Sequence, residues 1–411
     1  MEPIVESCAG LDVHQKSVVA CVLWGPLDSK PRAELRKFGT TTGELLELAD
    51  WLAERGVQVA GMESTGVFWK PVWNVLESYD WKLVLGNARR VKNVPGRKTD
   101  QRDAEWLAQL LRCGLVEPSF VPEVGQRDLR DLTRRRRKLL QNITSERNRI
   151  HKTLQDANVK LTSYLSDLFG ASGRALLTAL VENWDITPEL VLAVVKGNAK
   201  KKVPELVNSL AGKVRAHHRR MIGFSLEHID FLSGQLKRLE AEIDAMIEPF
   251  REEQELLCTI PGIEKAVAAE ILAEVGSDMA VFASEGHLAS WAGLSPGNFE
   301  SAGKSKGGRT SPGNKYVKSS LIQAAWAASR TKDTRLSGRF WRLTRRLGRD
   351  SKKKAAVATA HTILKIVHYV LATGQPYVEY GADFGSQASA ARERRLAREL
   401  ETLGYTVSKA A

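Results

Sequence analysis

The chain has 411 residues, of which 43% are hydrophobic and 27% charged. That is a globular composition on a length too great for one compact core, so two or three domains are expected. Lys and Arg number 61 against 48 Asp and Glu, a net charge of +13. The excess suits a polyanionic partner without naming it. The 4 cysteines, Cys8, Cys21, Cys113 and Cys258, form no CxxC pair and the 8 histidines give no zinc spacing beside them, so a zinc module is excluded and buried thiols are expected. MEPIVES lacks a basic-then-apolar signal segment. The longest apolar run, Ala355 to Gly374, is broken by His361, Lys365 and His368, which predicts a buried core helix, no membrane span and a cytoplasmic protein.

In chain order, CAGLDVH, SVVACVLW and AELRKFGTT predict three strands. Thr42 to Arg55 is helical, with Leu45, Leu46, Leu48, Ala49 and Leu52 forming its apolar face. VQVAGMES is a fourth strand, Val67 to Ser78 a helix, and WKLVLGN a fifth strand. A basic loop, ARRVKNVPGRK, leads to a helix from Asp100 that stops at Gly114. This order is that of an RNase H-like mixed sheet covered by helices, over residues 1–120. Residues 121–250 lack strand signals. Leu129, Leu132, Leu139, Ile143, Ile150 and Leu154 make a broken heptad, and Ile229, Leu232, Leu236, Leu239, Ile243 and Met246 a cleaner one. Two long helices around a smaller helical insert predict a coiled coil, within one chain or between protomers. Residues 251–375 read as a helical domain with one Gly/Ser/Lys loop, from Ser295 to Lys315, and Trp291, Trp326 and Trp341 belong to its core. Residues 376–411 are a polar tail with an exposed helix from Ala390 to Leu403.

Two constellations carry chemistry. Asp12 lies inside an apolar strand, which is costly unless the carboxylate is paired or binds a cation. Glu63 ends the fourth strand, the neighbour of the first in an RNase H-like sheet. Asp100 and Asp103 share one face at the start of a helix, where an N-cap and first-turn acid would also be found. Converging, these oxygen donors would suit two Mg²⁺ or Mn²⁺ ions and phosphoryl transfer.

The second constellation is C-terminal. The Pro261-Gly262-Ile263 bend between two helices suggests a helix-hairpin-helix, whose amides can hold a phosphate. A plain structural hairpin has the same pattern. Gly303-Lys304-Ser305 is not a nucleotide P-loop, because Asn298 stands where the first glycine is required and no strand precedes it. A serine nucleophile among Lys304, Lys306 and Arg309 is the functional reading of that loop. The residues alone do not choose Ser301 over Ser305. Arg97 and Lys98, the run Arg134, Arg135, Arg136, Arg137 and Lys138, and Lys352 to Lys354 are candidate nucleic-acid contacts, or charged solvated faces.

Several stretches together resemble a known family: GLDVHQKSVVACVL, GMESTGVFWKPVWNVLE, NVPGRKTDQRDAEWLAQLLRCGL, the PGI hairpin, and WAGLSPGNFESAGKSKGGRTSPGN. They are similar to insertion-sequence transposases of the IS-one-ten family, in its one-one-one-one subgroup, which join a RuvC-like DEDD domain to a C-terminal serine domain. The resemblance covers nearly the whole chain. It implies that Asp12, Glu63, Asp100 and Asp103 bind metal and that Ser301 is the catalytic serine. It also implies a recombinase acting on DNA as a homodimer or dimer of dimers, directed by an element-encoded guide RNA in the bacterial nucleoid. A RuvC-like endonuclease using water as nucleophile is the alternative, and it would have no use for Ser301.

Overall fold

In the computed structural model the described residues are 2–64, 66–86, 100–183, 185–297, 300–301, 304–305, 310, 312–348, 351–382 and 384–407. The chain divides into two compact units, Met1–Pro122 and Glu123–Ala411. The stretches taken above as 121–250 and 251–375 therefore fall almost wholly in the second unit.

The first unit is built on a five-stranded sheet. Its strands are β1 (Ser7–Val13), β2 (Val18–Trp24), β3 (Arg32–Phe38), β4 (Val59–Glu63) and β5 (Lys82–Gly86), in the spatial order β3-β2-β1-β4-β5. The two hairpin pairings are antiparallel, and β1–β4 and β4–β5 are parallel. The sheet is thus mixed, as the element order predicts, and compatible with an RNase H-like domain. Helices α1 (Thr42–Glu54) and α2 (Trp69–Leu76) cover one face, where Leu11, Met62, Leu48 and Leu52 are fully buried together. Helix α3 (Asp100–Arg112) covers the other face through Ala104, Leu107, Ala108 and Leu111. Glu44 closes a capping box on Thr41 and starts α1.

The second unit opens with α4 (Val124–Asp156), followed by the short helices α5 (Ala171–Glu182), α6 (Pro188–Val194) and α7 (Val203–Leu210), and then α8 (Ala216–Met246). The long helices α4 and α8 pack along one another, with the short helices over one end. Leu139, Ile143, Ile150 and Leu154 meet Ile222, Leu226, Ile229 and Leu232 in their shared core. Next come α9 (Arg251–Cys258), α10 (Lys265–Val275), α11 (Glu285–Trp291), α12 (Lys315–Ala328), α13 (Arg335–Leu347), α14 (Lys352–Thr373) and α15 (Phe384–Thr402).

Helix α14 has the length and composition of a membrane span. Its Ala355, Ala356, Ala360, Ile363, Leu364, Val367 and Val370 are instead buried against its neighbours α9, α11, α12 and α13. Trp326 packs on Phe340, whereas Trp341 stays 42% exposed and bonds its Nε1 to the Ser329 carbonyl. The tail helix begins at Phe384, ahead of the expected Ala390.

Candidate phosphoryl-transfer site

Register brings two of the four acids to neighbouring strand ends. Leu11 of β1 pairs with Met62 of β4. One residue further along these parallel strands come Asp12 and Glu63. Side chains alternate along a strand, so both belong to the face that Gly10 and Gly61 present. That face is the one under α3. A Cβ on Gly10 would lie 2.2 Å from the Ala104 carbonyl oxygen and 2.5 Å from the Ala108 nitrogen, and one on Gly61 would lie 2.6 Å from a Leu111 methyl. The two glycines therefore let the helix rest directly on the strand backbone.

The polarity of α3 follows from further contacts. The Ile4 amide donates to the Arg112 carbonyl and the Cys8 thiol to the Ala108 carbonyl, while Gly10 abuts Ala104. Helix and strand run in opposite directions. The N-terminal turn of α3, which holds Asp100 and Asp103, accordingly lies toward the end of β1 where Asp12 sits. Arg112 anchors the far end by donating to the Val5, Gly25 and Pro26 carbonyls.

Asp12 is about a quarter exposed and lies 3.0 Å from Nε2 of His14. Glu63 is half-buried and Asp103 exposed. The side chain of Asp100 lies outside the described residues. Among the described residues, no three acidic, histidine or cysteine side chains form a metal-binding group. The donor set is nonetheless of the right kind. It is all carboxylate, with one histidine on its edge, and hard oxygen donors suit Mg²⁺ or Mn²⁺. His14 escaped the sequence reading, although it stands two residues beyond Asp12, just past the end of β1.

In the second unit, Ser301 sits in a two-residue strand, β6 (Glu300–Ser301), paired with β7 (Lys304–Ser305) so that Ser301 stands opposite Lys304. Of these residues only the backbone is described. Lys306 and Arg309, like Arg97 and Lys98, lie outside the described residues. The stem of the loop is closed by a bridge between Pro296 and Thr310, by Lys318 Nζ donating to Thr310 Oγ1 (2.6 Å), and by the Asn314 amide donating to the Trp291 carbonyl. Asn314 caps α12 through Oδ1, and its Nδ2 donates to Glu274 at 2.6 Å.

Glu274 is the hub of a network that reassigns the arginine run. It is 2% exposed and accepts two bonds from Arg134, at 2.7 and 2.8 Å. Arg130 adds a second cation at 3.4 Å. Arg136 pairs with Glu240, and Arg137 with Glu270 and Ser320. Arg134 also lies over the Tyr316 ring. The charge of Arg134, Arg136 and Arg137 is answered inside the protein, which is a different task from the expected phosphate contact. Arg135 is exposed. Gly262 also has a packing task. It has φ +90°, and a Cβ there would meet the Ala324 carbonyl oxygen at 2.3 Å, so α12 can approach the hairpin only because the residue is glycine.

Residues 9–159 match a family model described as "Transposase", and residues 254–340 a model described as "Transposase IS116/IS110/IS902 family". The first opens on β1 and closes just past α4; the second runs from α9 into α13. The chain belongs to the IS110 family of transposases. It is similar to the IS900 uncharacterized 42 kDa protein of Mycobacterium paratuberculosis, 26% identical over 52% of this chain and 60% of that protein. It is also similar to the IS110 uncharacterized 43.6 kDa protein of Streptomyces coelicolor, 34% identical over 31% of this chain and 32% of that protein. The chain thus spans less than two thirds of the length of these relatives. Within the IS110 family match, the first stretch contains all four acids and the second contains Ser301, Gly262, Glu270 and Glu274.

Proposed function

We propose that the chain is the transposase of an insertion sequence, which cuts and rejoins DNA through a phosphoserine at Ser301. The observation that carries this reading is the meeting of β1, β4 and the start of α3, which brings the stretches holding Asp12, Glu63, Asp100 and Asp103 to one end of one sheet. Asp12, Glu63, Asp100 and Asp103 would hold Mg²⁺ or Mn²⁺, which would neutralise charge on a phosphate and its leaving oxygen. His14 orients the Asp12 carboxylate. In the reaction, Ser301 Oγ bonds to a DNA phosphorus as one P–O ester bond of the strand breaks. The serine proton is given up and the departing DNA hydroxyl gains one, so ester bonds are exchanged and none is lost. Attack by a DNA hydroxyl on the phosphoserine then rejoins a strand.

In this reading the serine of one protomer serves the acids of another, in a homodimer or dimer of dimers. An element-encoded guide RNA selects the DNA by base pairing, which leaves the protein to hold backbones. Arg97, Lys98, Arg135, Lys304, Lys306 and Arg309 are the cations proposed for that work. The family match and the net charge support a DNA partner.

The test incubates the full chain with Mg²⁺, candidate guide RNA and DNA spanning the element junction, and looks for a protein–DNA adduct that survives denaturation. Ser301→Ala and Asp12→Ala are each expected to abolish it. An adduct persisting in Ser301→Ala overturns the serine mechanism. Metal-dependent cleavage with no adduct assigns the chain to water-using nucleases.

A further inference from the structure

Helix α13 carries arginine at 335, 339, 342 and 346. Steps of four, three and four residues keep all four within a narrow stripe along the helix. At 1.5 Å per residue the stripe is roughly 16 Å long. Its members are half-buried except Arg346, which is exposed. Among the described residues no carboxylate forms an ion pair with Arg339, Arg342 or Arg346, in contrast to the run on α4. Arg342 Nη1 donates to a backbone acceptor, the Ala382 carbonyl, at 3.2 Å. Arg335 rests over the Tyr380 ring.

The most telling residue is Arg339. Its Nε is buried and has no hydrogen-bond acceptor among the described residues. Burial first, and then Arg335, Arg342 and Arg346, push its guanidinium below the usual arginine range. On the facing helix α14, burial, Lys365 and Arg339 hold His361 below its ordinary value, against an opposing Glu285 that is already paired with Lys365. A desolvated cation among cations is costly, and a fold that needed only packing would be better served by an apolar side chain.

We propose that the α13 stripe is a docking site for the phosphate backbone of duplex DNA. The guanidiniums of Arg339, Arg342 and Arg346, in line, supply forked donors for successive phosphates. The stripe positions themselves carry only guanidiniums, with neither a ring to stack unstacked bases nor an amide to read base edges among them, so they suit a duplex held without regard to sequence. Trp341 lies off the stripe with its Nε1 already engaged. This proposal rests on the reading of the chain as a DNA-processing enzyme, and adds where the DNA is held.

The experiment measures binding of the full chain to a fluorescent duplex over a series of KCl concentrations. Arg342→Gln combined with Arg346→Gln is expected to lower the slope of log affinity against log salt by about 2, near 1 per lost phosphate contact. Arg345→Gln, on the same helix but off the stripe, is expected to leave the slope unchanged. Arg339→Met is expected to weaken duplex binding while raising the unfolding midpoint, because it removes a buried unpaired cation. An unaltered slope in the double variant, or an equal effect per charge from Arg345→Gln, overturns the proposal. So does an Arg339→Met chain that is less stable and binds normally. A loss seen with single-stranded RNA of equal length but not with the duplex overturns the assignment to DNA. The serine chemistry fails separately, for then the unaltered chain binds duplex with its full salt slope but never forms the adduct.

Discussion

Cys8 and Cys21 lie in the centre of the first unit, both with no exposed surface. Burial pushes each thiol up to about 12, so neither carries thiolate at neutral pH. Cys113 and Cys258 are half-exposed. Alkylation of the native chain at pH 8 should therefore modify Cys113 and Cys258 and spare Cys8 and Cys21 until denaturant is added. Peptide mass mapping of labelled protein checks this, and prompt labelling of Cys8 would show that the sheet opens. At the same scale, Asp12 and Glu63 illustrate why a strand-borne acid is informative. The pleat gives each position one face, and an acid on the face under a helix needs a counter-charge.

At the scale of elements, the seating of α3 on β1 sets the candidate site, and it depends on a missing side chain. Gly10→Ala would force a methyl into the backbone of α3, so a loss of about 1–3 kcal/mol is expected. The same displacement shifts Asp103 relative to Asp12, so adduct formation should fall even where the variant is folded. Urea midpoints and adduct yield on the same preparations test this; a stable Gly10→Ala chain with unaltered yield would contradict the seating.

The α4–α8 pair holds a second buried polar contact. Glu146 accepts from Ser225 Oγ at 3.0 Å and contacts His228 Nδ1 at 2.8 Å and Arg149. Burial works to raise its pKa, but these partners outweigh it, and the carboxyl is held below its ordinary value of 4.5. A lowered pKa means that this stabilisation is fully present above the ordinary value and is lost as pH falls through the lowered one. Thermal unfolding followed between pH 6 and 3 should show Glu146→Gln less pH-dependent than the unaltered chain, and parallel curves would remove Glu146 as a cause.

Across the whole molecule, charge has been divided between inward and outward uses. Glu274 and Glu270 draw the start of α4, the end of α10 and the start of α12 together, and through Asn314 they reach the stem of the Ser301 loop. Glu274→Ala would strand Arg134 and Arg130 without their counter-charge, a loss of about 3–5 kcal/mol in systems where a buried pair is broken. Calorimetry should show the second unit destabilised as a body while the first unit keeps its transition, and a second unit that melts unchanged would show the network to be superficial. Arg339, Arg342 and Arg346 of α13, by contrast, form no ion pair with a carboxylate among the described residues, which is why an outside polyanion is proposed for them.

Local pattern alone determined a good deal here. Period-two and period-three-to-four spacing located β1 to β5, α1, α3 and the long α4 and α8, and with them the positions of Asp12, Glu63, Asp100 and Asp103 on particular elements. Those assignments depend on neighbours within a few residues, so they are legible in one dimension. The partners of the arginine run were not, because Glu270 and Glu274 lie well over a hundred residues beyond Arg134 and Arg137. Nor was the reason for Gly10 or Gly262, since each is set by how closely a distant helix approaches. Tertiary structure decided which cations are neutralised by carboxylates within the protein, because that depends on distances between elements that no local spacing encodes.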